Sequence, residues 1–229
     1  MKKLALLFCT LLFALTVQLS AQSTQERNVD SFDEIQVSAG IDLFLKQGGS
    51  PSVKVKATEK IIDDIATYVE NGKLIIKMKS KNYRNWGRDK KEVYIVVDNL
   101  KALTASGGSD IFSEGLDLDE LAIRASGGSD VSLNIKVDDL SLTLSGGSDV
   151  DIKGSAENME VRASGGSDLN AGKLEVKDCK ITTSGASDAN IYVTGNLSMS
   201  ASGASDINYS GRPNVVSSRS SGGADINGN

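Results

Sequence analysis

From Leu100 to Asn229, apolar and polar residues alternate in step with a phrase that recurs seven times. The first copy is Ser106-Gly107-Gly108-Ser109-Asp110, and the others end at Asp130, Asp149, Asp168, Asp188, Asp206 and Asp225. Successive Asp residues stand 20, 19, 19, 20, 18 and 19 positions apart. A fixed period near nineteen marks stacked repeats. Aligned on the Asp, position −9 holds Leu121, Leu140, Met159, Cys179, Leu197 and Val216. Position −7 holds Leu103, Ile123, Leu142, Val161, Ile181 and Met199, and position −5 is mostly Ala. Position +1 holds Ile111, Val131, Val150, Leu169, Ala189, Ile207 and Ile226, and position +3 continues with Leu133, Ile152, Ala171, Ile191 and Tyr209. Polar residues lie between. Alternation of this kind predicts a half-buried strand on each side of a Gly-containing corner.

Two architectures satisfy the pattern. Each corner is a hairpin tip in an antiparallel meander, or each repeat is one turn of a coil whose equivalent residues stack. A two-residue hairpin at Gly-Gly mixes the two faces, whereas a five-residue loop restores the parity. The coil accounts for more. It places Ser on Ser, Gly on Gly and Asp on Asp along one edge, at a rung spacing of about 4.8 Å. The reading is therefore an all-β parallel β-helix with rungs of about 19 residues over 99–229. In the last repeat Ser218 and Ser220 replace apolar residues, and the chain closes with Asn227-Gly228-Asn229, a polar end that blunts an open sheet edge.

Residues 32–98 are less regular. Val37-Ser38-Ala39-Gly40-Ile41-Asp42-Leu43-Phe44-Leu45 reads as a worn copy of the corner. Ser52 to Lys56, Leu74 to Met78 and Val93 to Val97 alternate as strands. Glu59 to Glu70 carries Ile61, Ile62, Ile65, Ala66 and Val69 at helical spacing, stopped by Asn71-Gly72. The expectation is an N-terminal cap containing one short helix, joined to irregular rungs.

The leader changes the picture of location. Met1-Lys2-Lys3, an apolar run from Leu4 to Val17 and a small-residue exit at Ser20-Ala21 follow the plan of a secretory signal peptide, cut after Ala21. Residues 22–31 then read as a linker and 32–229 as one domain, exported to the periplasm, outer surface or medium. No transmembrane span is expected in the mature chain. Loss of Lys2 and Lys3 takes the formal charge from −5 to −7, which argues against a nucleic-acid surface. Cys179 alone remains of the two Cys, so no intrachain disulfide can form. Only 5% of residues are aromatic, so the core must be built from Val, Ile, Leu and Ala.

The Gly40-Ile41-Asp42 phrase, the Asn99-Leu100-Lys101 lead-in and the Ser-Gly-Gly-Ser-Asp rungs resemble the bacterial family called putative auto-transporter adhesin, head GIN domain, over roughly Phe32 to Asn229. The resemblance implies a right-handed parallel β-helix exported to the cell envelope.

Two groups of residues are candidates for chemistry. The column of Asp110, Asp130, Asp149, Asp168, Asp188, Asp206 and Asp225 could bind Ca²⁺, which takes 6–8 oxygen ligands as a general rule. A solvated structural ladder competes with that reading, because one Asp per turn supplies few ligands. The loop Lys79 to Lys91 carries Tyr83, Arg84, Trp86 and Arg88, the composition of a recognition surface for a sugar or an anionic partner. The competing reading is a hairpin loop whose Trp covers the end of the core. Serines are many, but there is no His to serve as base, so a Ser-His hydrolase is excluded. The Asp column follows the repeat instead of breaking it, as a catalytic cluster would. The reading is a non-catalytic module that binds a glycan or an envelope or surface protein. The rivals are a structural component that associates end to end and, third, a polysaccharide-acting β-helix enzyme.

Overall fold

In a computed structural model that describes residues 22–79 and 89–229, the chain winds as a parallel β-solenoid of about 7 turns. The irregular part comprises β1 (Gln22–Arg27), β2 (Glu34–Ser38), β3 (Asp42–Gln47), β4 (Ser52–Thr58), β5 (Ile65–Glu70), β6 (Lys73–Met78) and β7 (Lys91–Val97). The repeats follow as β8 (Ala102–Ser106), β9 (Ile111–Ser126), β10 (Asp130–Ser145), β11 (Asp149–Ala163) and β12 (Asp168–Thr183). The last rungs are β13 (Ala189–Val193), β14 (Asn196–Gly203), β15 (Asp206–Gly211), β16 (Asn214–Gly222) and β17 (Asp225–Gly228).

The meander is excluded, since β10 is parallel to both β9 and β11. Asp130 lies beside Asp149 and Asp149 beside Asp168, as stacked corners require. The apolar positions form continuous columns inside the coil. Leu74, Ile35, Leu103, Ile123, Leu142, Val161, Ile181 and Met199 are successive register neighbours in one of them, and all are buried. Each such Leu or Ile removed from water contributes about 1.5–3 kcal/mol.

The corner explains its own composition. The first Gly of every phrase has positive φ, from +63° at Gly107 to +83° at Gly203. A Cβ on Gly185 would sit 2.7 Å from the carbonyl oxygen of Gly165 in the rung beside it. Ala186 and Ala204 at the second position are not in the left-handed region, so Ala is accepted there. The uneven period also has a structural cause. The 20-residue step from Asp110 to Asp130 contains the bulge that places Glu114-Gly115 against Asn134. The 20-residue step from Asp168 to Asp188 contains a second bulge at Gly172.

The irregular part departs from sequence expectation in four places. The worn corner is a complete rung, but it is out of chain order. β2 lies between β6 and β8, and β3 between β7 and β9. The helix expected over Glu59 to Glu70 reduces to one 3-10 turn, Ile62–Asp64, followed by β5, antiparallel to β6. Asn71 and Gly72 both have positive φ, 52° and 77°, so the presumed helix stop is a tight hairpin turn. Thr67, Tyr68 and Val69 suit the strand that this turn returns into. Residues 22–31, expected as a linker, hold β1, which pairs antiparallel with β4 from Gln22 to Arg27. The cap is thus made of antiparallel strands, since β4 also runs antiparallel to β7. At the far end a bulge makes Val215, not Val216, the neighbour of Leu197, and Val216 is 62% exposed. The leader lies outside the described residues.

Candidate binding face

The corner places its two serines differently. The second Ser of the first six phrases points into the coil, and Ala224 takes its place in the seventh. Ser109, Ser129, Ser148, Ser167, Ser187 and Ser205 are fully buried. Their hydroxyls are used internally: Ser129 donates to the carbonyl of Ser126 at 2.8 Å, and Ser167, Ser187 and Ser205 make the same bond to Ser164, Ser184 and Ser202. Ser109 instead accepts the amide of Ile41 at 3.1 Å. These hydroxyls hold the corner and are withdrawn from solvent. Cys179 is likewise buried, and burial pushes its thiol up to about 12.

The Asp side chains stand on the outside, one per rung. Their mutual repulsion is partly relieved by the backbone. The amide of Asp130 donates to Asp110 Oδ1 at 3.3 Å, that of Asp206 to Asp188 Oδ1 at 3.3 Å, and that of Asp225 to Asp206 Oδ1 at 3.2 Å. The column is longer than the repeat suggests. Asp42 and then Glu92 continue it across the inserted rung. Burial, then Asp110 and Glu92, raise the Asp42 pKa above the ordinary carboxylate value. Glu92 is 8% exposed and has relief: Lys56 Nζ lies 2.8 Å away and Tyr94 donates to it at 3.2 Å, and the Lys56 hydrogen bond lowers its pKa. Among the described residues no three Asp, Glu or Cys side chains converge as a metal site would need.

Two positions after this column runs a second exposed one. Its members are Tyr94, Phe44 and Phe112, then Ser132, Asp151, Asn170, Asn190, Asn208 and Asn227. The three aromatic rings form one stack, with centroids 4.9 Å apart from Tyr94 to Phe44 and 5.3 Å from Phe44 to Phe112. Tyr94 and Phe112 are each 37% exposed. Beyond them the amides link rung to rung, as Asn170 does to Asp151 at 3.0 Å. A groove of about 380 Å³ runs between the two columns, lined by Asp130, Ser132, Asp149, Asp151, Asp168 and Asn170. A larger groove of about 970 Å³ begins at Phe44 and Phe112 and reaches Lys153 and Lys173.

A further polar ladder lies on another edge. Asn158 donates to Asp139 at 2.9 Å, Asn196 to Asp178 at 2.9 Å and Asn214 to Asn196 at 3.0 Å. With Lys101, Glu160 and Lys180, the residues Asp139, Asn158, Asp178 and Asn196 line a groove of about 540 Å³.

Sequence reasoning found the seven Asp and missed the aromatic stack. Phe44 and Phe112 each stand two residues after a corner Asp, so extending the alignment by one polar position would have paired them. Tyr94 follows Glu92, outside any recognisable corner, and only the register exposes it. Tyr83, Arg84, Trp86 and Arg88 lie outside the described residues.

The family model described as "Putative auto-transporter adhesin, head GIN domain" matches residues 31–213. Similar solved structures include a putative adhesin from Bacteroides fragilis, with 21% identity, 91% of this chain and 97% of that chain covered, and a TM-score of 0.84. A putative lipid binding protein from Parabacteroides distasonis has 21% identity, coverages of 91% and 96% and a TM-score of 0.70. A putative adhesin from Parabacteroides merdae has 21% identity, coverages of 91% and 96% and a TM-score of 0.67. At these identities the likeness establishes the fold. No functionally curated protein matches the chain.

Proposed function

Because the chain belongs to the putative auto-transporter adhesin, head GIN domain family, we propose that it is an exported, non-catalytic envelope module that binds a surface glycan. The observation that carries this reading is the exposed Tyr94–Phe44–Phe112 stack beside parallel columns of Asp and Asn. Aromatic rings give rigid apolar contact at low entropic cost, and carboxylates and amides give hydrogen bonds that discriminate hydroxyls. Both are carried on strands, which hold a binding constellation more rigidly than loops do. The buried corner serines and the lack of His leave the proposal with no nucleophile–base pair to call on. No helix among the described residues is long and apolar enough to cross a membrane. Export would follow from the Lys2-Lys3 leader, with N-terminal sequencing of the exported protein beginning at Gln22.

The test is an array of glycans and envelope proteins probed with residues 22–229. Selective glycan capture is expected. Capture of proteins alone would replace the glycan by a protein partner, and release of new reducing ends from a polysaccharide would overturn the non-catalytic reading. A second reading, end-to-end assembly, is favoured by one observation, the exposure of Val215 and Val216 on β16 at 41% and 62%. Light scattering that shows concentration-dependent mass would support it.

A further inference from the structure

The aromatic stack is closed at one end and open at the other. Lys56 Nζ lies 5.9 Å from the centroid of Tyr94, on the far side of the stack from Phe44 in register order. Phe44 has a ring on each side. Among the described residues Phe112 has one ring neighbour, because the next residue in its column is Ser132, too small to cover the ring. The groove of about 970 Å³ opens at this point.

Three further features converge there. First, the groove lies between the two bulges, the one at Glu114-Gly115 and the one at Gly172, and bulges bend a sheet and re-aim side chains. Second, Ser113 lies under the groove in a column where other rungs carry Leu45, Leu133, Ile152 and Ala171. It is 9% exposed, and its hydroxyl has no hydrogen-bond partner. Third, Lys46, Lys153 and Lys173 line the groove, are exposed, and have no ion-pair partner among the described residues. In a chain of formal charge −5, a groove where three unpaired lysines outnumber the two carboxylates, Glu114 and Asp151, stands out from the carboxylate column beside it. The distance from Phe112 to the rung of Lys173 is three rungs, about 14 Å, within which the lysine arms can meet a short oligosaccharide.

We propose that this groove is a subsite for an acidic glycan, in which a pyranose ring continues the stack on the free face of Phe112 over Ser132 and the sugar carboxylates pair with Lys153 and Lys173. The proposal rests on the glycan-binding reading and adds the position and charge of the ligand. Asp151 borders the same seat and is hydrogen-bonded to Asn170 of the adjoining smaller groove, so its carboxylate is positioned for the hydroxyl edge of the ring. Lysines that act as point charges make the binding salt-sensitive.

The experiment is isothermal titration of residues 22–229 with a polyuronate and with a neutral polysaccharide of similar length, repeated with Phe112→Ala and with the double variant Lys153→Gln/Lys173→Gln. Both variants change exposed side chains, and a melting curve checks each fold. The expected result is polyuronate binding that weakens at least tenfold in both variants, with added salt weakening it in the parent and in Phe112→Ala but much less in the double lysine variant. Equal binding by parent and variants would overturn the subsite and leave the glycan reading standing. Binding of the neutral polymer alone would overturn the acidic ligand. Failure to bind either polymer, together with an array that captures other glycans, would overturn this inference alone. Failure on the array as well would overturn both.

Discussion

The rungs from Leu100 onward and the rungs before it share one core but are assembled by different rules. In the later part each turn stacks on the one before it in chain order, and β9 to β12 carry the same residues to the same places. In the earlier part β2 and β3 are slotted between strands that follow them in the chain, and antiparallel strands close the end. The later part becomes monotonous outside as well as inside, a row of Asp beside a column that is Asn from Asn170 onward. The earlier part supplies what the repeat lacks: Tyr94, Phe44, the Lys56–Glu92 pair and a half-buried carboxylate at Asp42. Distinctive chemistry therefore collects at the junction, where Phe112 of the first regular rung meets Phe44 of the inserted one.

The largest effects should come from the shared core. Leu142 and Ile35 occupy the same apolar column, one in each part, and are 0% and 1% exposed. Leu142→Ala and Ile35→Ala are each expected to lose about 2–5 kcal/mol in chemical denaturation. A much smaller loss for Ile35→Ala would mean that the inserted rung is an appendage and not part of the stack.

Next come the corners, where the two parts should respond with opposite sign. Gly185 has φ +81° and its Cβ position meets backbone, so Gly185→Ala is expected to cost about 1–3 kcal/mol. Ala39 holds the equivalent position of the worn corner at φ 72°. Ala39→Gly should relieve that strain and raise stability by about 1 kcal/mol or less, after the extra chain entropy of Gly is counted. Thermal melts of the pair would decide it.

Smaller, pH-dependent effects separate Asp42 from Glu92. The Asp42 pKa is raised in the fold, so its ionisation destabilises the native state as pH rises above the ordinary value of 3.8. Asp42→Asn should raise the melting temperature at pH 7, and the gain should vanish below pH 3.8. The Glu92 pKa is lowered, so it contributes stability above the ordinary value of 4.5, and that contribution is lost as pH falls through the depressed pKa. Glu92→Gln should therefore lower the melting temperature at pH 7, with the difference closing in acid. The same sign of change for both variants at pH 7 would contradict the junction electrostatics.

The smallest effect belongs to the regular column. Its spacing gives neighbouring carboxylates about 1 kcal/mol of repulsion in water. Asp149→Asn should stabilise by about that much or less at low salt, and the gain should shrink as salt is added. Calorimetric heat on adding calcium, with Asp149→Asn destabilising in its presence, would replace the structural ladder by a cation site.

The legibility of the molecule in its sequence follows the same division. The seven corners, their Asp row and the apolar columns could be read because each rung repeats the last and a period of two assigns every side chain to a face. Even the bulges were present as steps of 20 residues, although the cause was not. The helix expected at Glu59 to Glu70 failed because Ile61, Ile62 and Ile65 satisfy helical spacing while the Asn71-Gly72 turn and the pairing with β6 favour a strand. Phe44 and Phe112 carry a local signature, their place two residues after a corner Asp, whereas Tyr94 has none and joins them only through the register of β7 with β3.

The sequence alone determined the rung length and the face of every side chain, because a fixed period and strict alternation assign each residue, and it favoured the coil over the meander that parallel pairing of β9, β10 and β11 then excluded. Only the tertiary structure decided that a rung from the start of the chain enters the stack late, because strand pairing depends on edge and register and not on chain order. That placement brings Phe44 between Tyr94 and Phe112 and leaves one aromatic face open above Ser132.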